Sequence, residues 1–357
     1  MLLNDLQSRS LISPPRWLPD NCLYLVQMGS VAYGVSDDNS DIDVYGYAMP
    51  PKTVVFPHLA GEIFGFGKQK ERFGQWQQHH IEDKEKRKEY DFSIYSIVKY
   101  FDLVMSGNPN MIDSLFTPQR CILHTTKIGD MVRENRHLFL HKGCFHKFKG
   151  FAFQQFHKMK TKGHKYIDDL MNLEDKLGIP RVTTLKEATF ALFNYEDRNE
   201  AHWSANIDHN GLNEYVELYE KMVSAGKRSE RCKIYQFDTK FAYHIIRLVS
   251  ECEQILSEHT LVLDEKGRRE HMKAVRNGEW TIEQVEDHFA QKEKHLEDLY
   301  QSSTLQHKPD EAVIKDLLLN CLEHHYGSLD ACVVNEDQAV RVLRDVAALI
   351  DKNRSLI

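Results

Sequence analysis

Cysteine is scarce, with seven residues among 357 (Cys22, Cys121, Cys144, Cys232, Cys252, Cys321 and Cys332), and no two of them form a C-x-x-C pair. Their odd number and wide scatter argue against a disulfide framework or a thiolate metal site, and they read as reduced thiols of a cytoplasmic protein. No apolar run approaches the roughly 20 residues that a membrane-spanning helix needs. Asp5, Arg9 and Arg16 interrupt the first twenty residues, where a secretory signal would keep an unbroken apolar core. Net charge is also low, since 53 acids against 46 bases leave −7, so any contact with nucleic acid must come from a local patch. No internal repeat and no low-complexity tract is found.

Periodicity divides the chain unevenly. Leu23 to Met28 is a short apolar run, and Asp41 to Met49 alternates polar and apolar residues before Pro50-Pro51, so both read as strands. The glycines around Glu62 to Arg72 indicate loops, and the charge run Lys84 to Glu89 a solvated hairpin or loop. Glu89-Tyr90-Asp91-Phe92 reads as the end of a strand, with Ser93 capping a helix from Ile94 to Ser106 that Gly107 stops ahead of Pro109. From Met111 onward the spacing is helical, over Phe151 to Met159, Gly211 to Val223, Phe241 to Leu256, Thr281 to Leu299, Asp310 to Leu322 and Asp337 to Ile350. Glu196 to Asn210 is polar and irregular. The expected class is α/β (α+β), a mixed sheet with helices over residues 1–125 and a mainly helical domain over 126–357.

The most informative stretch runs from Met28 to Gly46, where Gly29-Ser30 is followed ten residues later by Asp41-Ile42-Asp43. On a strand, residues i and i+2 project together, so Asp41 and Asp43 share one face while Ile42 and Val44 pack inward. Two carboxylates so placed suit a pair of divalent ions roughly 3.5 to 4 Å apart. Gly29 permits close backbone approach to a phosphate, and Ser30 adds a hydroxyl donor beside backbone amides. Either motif alone is common in surface turns; their combination, each behind a strand, points to metal-dependent nucleotidyl transfer.

These residues resemble the signature of the DNA polymerase β superfamily of nucleotidyltransferases in its compact form. Ala32-Tyr33-Gly34, Ser40-Asp41, the Tyr90 to Phe116 stretch with Gly107-Asn108-Pro109, and Ala242-Tyr243-His244 with Arg247-Leu248 resemble a bacterial and phage branch of predicted nucleotidyltransferases. The resemblance implies a mixed sheet backed by helices, a third carboxylate on a neighbouring strand, and transfer of a nucleoside monophosphate from an NTP with two Mg²⁺ or Mn²⁺ ions. Asp91 fits the third position, with Glu82, Glu89 and Asp113 as alternatives and helix capping as its structural reading. Tyr33 and Ser40 join Gly29 and Ser30 as expected nucleotide-binding residues. The acceptors implied are an RNA 3′ end, of the tRNA type, a protein hydroxyl, as in toxin–antitoxin nucleotidylating enzymes, or a small molecule such as an antibiotic. A non-catalytic nucleotide- or partner-binding module is the reading from another class, against which both motif aspartates and the Gly-Ser turn stand intact.

Three further constellations sit outside the motif. Lys240, His244 and Arg247 fall at helical spacing beside Tyr243, either a stripe that grips a triphosphate or a surface stripe paired with Glu251. Residues 142–165 hold seven lysines and no acid, interleaved with Phe145, Phe148, Phe151, Phe153 and Phe156. Such a segment suits nucleic-acid phosphates and bases, although the balance favours phenylalanines in a core and lysines in solvent. His79-His80 and His324-His325 lack metal-ligand spacing and are read as structural.

Overall fold

A computed structural model of the chain describes residues 1–36, 41–56, 59, 61–63, 67, 71–161, 164–177, 209–224, 232–327, 342–343, 346–347 and 350. It divides into two compact units. The first comprises Met1–Cys144, Glu258–Asp264 and Leu305–Ile357, and the second Phe145–Ser257 and Glu265–Thr304.

The first unit is built on a five-stranded sheet. Its strands are β1 (Cys22–Gln27), β2 (Ile42–Ala48), β3 (Gln75–Asp83), β4 (Lys88–Ser96) and β5 (Ile122–Thr125), in the order β3-β4-β2-β1-β5. β1 pairs antiparallel with β2 and β5, β3 antiparallel with β4, and β2 parallel with β4, which makes the sheet mixed. Alternation along β2 is as the pattern requires: Ile42 and Val44 are buried, while Asp43 is half-buried on the opposite face. Helices α1 (Leu2–Ser8), α2 (Lys52–Val55), α3 (Ile97–Met105), α4 (Pro109–Phe116) and α5 (Lys127–Glu134) surround the sheet elements in sequence. Leu3 and Leu6 of α1 share a core with Val44, Phe92 and Ile94. Tyr47 packs between Tyr24 and Tyr100, with ring centroids 5.4 and 4.5 Å away.

The helix expected from Ile94 begins three residues later. Parallel pairing carries β4 through Ser93↔Tyr45 and Ile94↔Gly46 to Ser96↔Ala48, and Ser96 then caps α3 by accepting from the Lys99 amide. The sheet ladder outcompetes an early cap, and Ser93 instead receives a bond from Gln77 at 3.1 Å. Asp91 therefore lies in mid-strand and caps no helix. Gly107, at φ +71°, ends the α3 region as expected, and Asn108 caps α4 ahead of Pro109. β5 interrupts the region read as helical after Met111.

Further helices among the described residues are α6 (Cys144–Thr161), α7 (His164–Leu177), α8 (His209–Ser224), α9 (Thr239–Glu258), α10 (Lys266–Arg276), α11 (Ile282–Ser302) and α12 (Glu311–Tyr326). The chain is thus α/β with a helical C-terminal part. No helix among the described residues is long and apolar enough to cross a membrane. Cys22, Cys121, Cys144, Cys232, Cys252 and Cys321 are free and buried; burial pushes the Cys144 and Cys321 thiols up to about 11. Cys332, residues 196–208 of the polar stretch and most of the segment Asp337 to Ile350 lie outside the described residues.

Candidate active site

The end of β1 leads through Met28 into a tight turn, a short 3-10 segment at Gly29–Val31. Gly29 has φ +71°, and a methyl group placed on it would stand 2.3 Å from Oδ2 of Asp43. Only glycine fits both constraints. The Met28 amide donates to the Asp43 carbonyl at 2.7 Å, and the Val35 amide to the Ser30 carbonyl at 2.9 Å, so the turn is pinned to β2 at one end and to itself at the other. The bend and the second aspartate of the motif, fourteen positions apart in sequence, are thus in contact.

Parallel register places Asp91 of β4 directly beside Asp43 of β2. Asp41 is exposed one residue before β2. Of the alternatives for the third position, Asp113 is fully buried on α4 and accepts from the Tyr33 hydroxyl at 2.8 Å. Glu82 and Glu89 face each other across the β3–β4 ladder, two residues from the Asp91 position. The pairing of Tyr33 with Asp113 makes it a brace within the core, 3% exposed. Ser40 lies outside the described residues.

One feature escaped the sequence. The β3–β4 register shifts between Gln78 and Ile81, so that His79 and His80 together occupy the bulge opposite Asp91. His80 adopts φ +55°, and its backbone amide donates to Oδ1 of Asp91 at 2.7 Å. Its Nδ1 lies 2.8 Å from Glu89 Oε1, and His79 Nδ1 lies 3.6 Å from Asp91 Oδ1. The bond to Glu89 raises the His80 pKa above its ordinary value, and the charges of Asp91 and then Asp41 act in the same direction. His80, Glu89 and Asp91 converge closely enough to share an ion. β-Bulges are over-represented beside active sites, where they re-aim side chains. Nothing in the residues 75–83 marks the bulge except the adjacent histidines themselves.

Arg120 was also missed. Its Nη2 donates to the Val31 carbonyl of the turn at 3.3 Å, and its Nη1 bonds Asp264. A guanidinium thus sits at the bend, supplied by a short 3-10 segment, Gln119–Cys121, far along the chain. The Lys240, His244 and Arg247 stripe lies on α9 in the second unit. Arg247 is buried and sits 3.9 Å from the equally buried Glu251, while Lys240 is exposed and His244 packs its ring 4.1 Å from that of Tyr243.

A family model, RlaP, described as the RNA repair pathway DNA polymerase beta family, matches residues 19–319. The chain belongs to this family. RlaP is a family of polymerase β superfamily nucleotidyltransferases, and the matched region contains Gly29, Asp41, Asp43, Asp91 and the bulge histidines. Neither the curated proteins nor the solved structures compared with the chain gave a match.

Of the group that converges closely enough to share an ion, Glu89 and Asp91 offer carboxylate oxygens and His80 an imidazole nitrogen, with Asp43 in register beside Asp91; carboxylate oxygens suit Mg²⁺ or Mn²⁺. Gly29 further keeps the space beside Asp43 Oδ2 clear of a side chain. The residues present fit a divalent ion.

Proposed function

We propose that the chain transfers a nucleoside monophosphate from an NTP to a hydroxyl, with an RNA 3′ end as acceptor and pyrophosphate as the leaving group. The observation that carries this reading is the contact of the Gly29 bend with Asp43 while Asp91 stands in register beside it. Asp41, Asp43 and Asp91 are the residues that would hold two Mg²⁺ or Mn²⁺ ions. Bound there, such ions neutralise charge on the triphosphate and lower the pKa of an attacking hydroxyl.

The protein's own groups do the rest. Gly29 admits the phosphate tail to the backbone, and the Ser30 hydroxyl donates to it. The His80 amide occupies Oδ1 of Asp91 and so fixes that carboxylate's rotamer. In the transfer, the acceptor oxygen forms a bond to the α-phosphorus as the bond to the pyrophosphate oxygen breaks, and the hydroxyl proton passes to a carboxylate at the site. The carboxylates of Asp41, Asp43 and Asp91 repel an anionic RNA strand unless cations intervene, which favours a strand-binding surface elsewhere in the chain.

The test is incubation of the purified protein with each labelled NTP, Mg²⁺ or Mn²⁺, and total RNA or cell protein. Label is expected on RNA, and Asp43→Asn should abolish its transfer while melting like the wild type. Transfer to protein instead would overturn the acceptor assignment. A fold-competent wild type that transfers nothing, or an Asp43→Asn variant as active as wild type, would overturn the catalytic one.

A further inference from the structure

The basic, phenylalanine-rich segment of the sequence forms α6, and the structure sorts its two kinds of residue. Phe145, Phe148, Ala152 and Met159 are buried. Phe145 and Phe156 stack on Tyr300 and Phe289 of α11, with centroids 4.9 and 5.1 Å apart, so this face holds the helix to its neighbour. Lys149 is taken by Glu293 and Glu297 of α11 at 2.9 and 2.8 Å.

The opposite face does not follow the core pattern. Lys147, Gly150, Phe153, Gln154, His157 and Lys158 are all exposed there. Phe153 is 50% exposed, a large aromatic left in solvent. Its ring meets that of His157 edge-on, at 88° with centroids 4.5 Å apart, which holds it upright on the helix. One turn before it, Gly150 leaves open space: a methyl group there would touch nothing within 4 Å. A flat ring bordered by a notch and an aromatic brace is a stacking platform. Lys147 and Lys158 stand eleven residues apart on either side of it, about 16 Å along a helix rising 1.5 Å per residue, and α6 carries no acidic residue. Lys147 forms no ion pair among the described residues, and the Lys158 ammonium lies 6.0 Å from the Phe241 ring centre.

We propose that this face of α6 binds single-stranded nucleic acid, with a base stacked on Phe153 in the Gly150 notch and flanking phosphates on Lys147 and Lys158. Stacking on an isolated aromatic suits unpaired bases, whereas in a duplex the bases already stack on one another. The absence of acid on the helix favours a polyanion over a protein segment of mixed charge. As the holding surface for the acceptor strand, the face rests on the reading of an RNA acceptor given above; binding itself is independent of catalysis.

Fluorescence anisotropy of labelled oligoadenylate with the full chain tests it. Phe153→Ala should weaken binding by about fivefold to a hundredfold, the range of one base–aromatic stack. Gly150→Leu should weaken it comparably by covering the ring, and it keeps the fold because leucine is the better helix former. Lys147→Gln and Lys158→Gln should each lower the slope of log K against log salt by about 0.7. Asp43→Asn should bind like wild type, so that loss of transfer with intact binding separates the two proposals. The deoxy strand distinguishes an RNA from a DNA source, and binding of oligodeoxyadenylate alone would overturn the acceptor role. Preference for a duplex, unchanged affinity in Phe153→Ala and Gly150→Leu, or binding of polyglutamate in place of either strand would overturn the proposal itself.

Discussion

At the scale of single residues, two backbone conformations carry the site. Gly29 at φ +71° lies against Asp43 Oδ2. Gly29→Ala would force a Cβ into that carboxylate and hold alanine in the left-handed region at a cost of about 1 to 2 kcal/mol. The expected outcome is a melting temperature lowered by a few degrees with transfer reduced about a hundredfold, since small displacements of reacting groups are that costly. Activity equal to wild type would show that the Asp43 position is not critical. His80 at φ +55° is the second case, because its amide rather than its imidazole reaches Asp91 at 2.7 Å. His80→Gly keeps both the amide and the conformation, whereas His80→Val, β-branched, disfavours positive φ and draws the amide away. Near-normal transfer in the glycine variant with a marked loss in the valine variant is expected; equal impairment of the two would assign the role to the ring. The turn at Gly29 and the strand through Asp43 were legible in sequence because both lie within one strand–turn–strand stretch, residues 22–48. The bulge was not, since two strands must be in register before an extra residue exists.

At the scale of elements, the β3–β4 hairpin that carries Asp91 is anchored away from the site by α1. Arg9, just past α1, bonds both oxygens of Asp83 at 2.6 and 2.7 Å, and Lys86 of the hairpin turn bonds Asp5 at 2.7 Å. Asp83 is 1% exposed, and Arg9 holds its carboxyl well below the usual carboxylate range. A group whose folded pKa is lowered stabilises above its unfolded pKa of about 3.9 and loses that contribution as pH falls toward the folded value. Arg9→Met should therefore lower the urea midpoint at neutral pH, and the gap to wild type should narrow below about pH 4. A gap that stays constant from neutral to acid pH would mean that the ion pair does not anchor the hairpin. The sequence marked this region only as a charge run between Lys84 and Glu89. Its partner lies in another element 74 positions away, and no window of the sequence joins the two. The same limit explains the late start of α3: Ser93 and Ser96 are both fit to cap, and only pairing with β2 selects the second.

At the scale of the whole chain, the first unit is assembled from three separate segments. Pairings within residues 22–134, β1 with β5 and β2 with β4 among them, assemble the sheet, but several ties come from far downstream. The Tyr326 hydroxyl donates to the Pro50 carbonyl, and the Tyr326 ring meets Phe56 with centroids 5.7 Å apart. The amides of Lys142 and Gly143 donate to the carbonyls of Gln306 and His307 at 2.8 and 3.2 Å. Arg120 reaches Asp264, which also steadies the guanidinium at the Gly29 bend. A fragment of residues 1–144 retains β1 to β5, both motif aspartates and Asp91, yet it loses all of these bonds and exposes the apolar surface that α12 covers. Buried backbone groups left without partners cost about 1 to 3 kcal/mol each, against a total stability of only about 5 to 15 kcal/mol for a domain. The fragment should consequently show a broadened, low-temperature melt and a weakened near-ultraviolet signal from the Tyr24, Tyr47 and Tyr100 cluster. Should it instead melt as sharply and as high as the full chain, the downstream segments would be appendages of the first unit rather than part of its core.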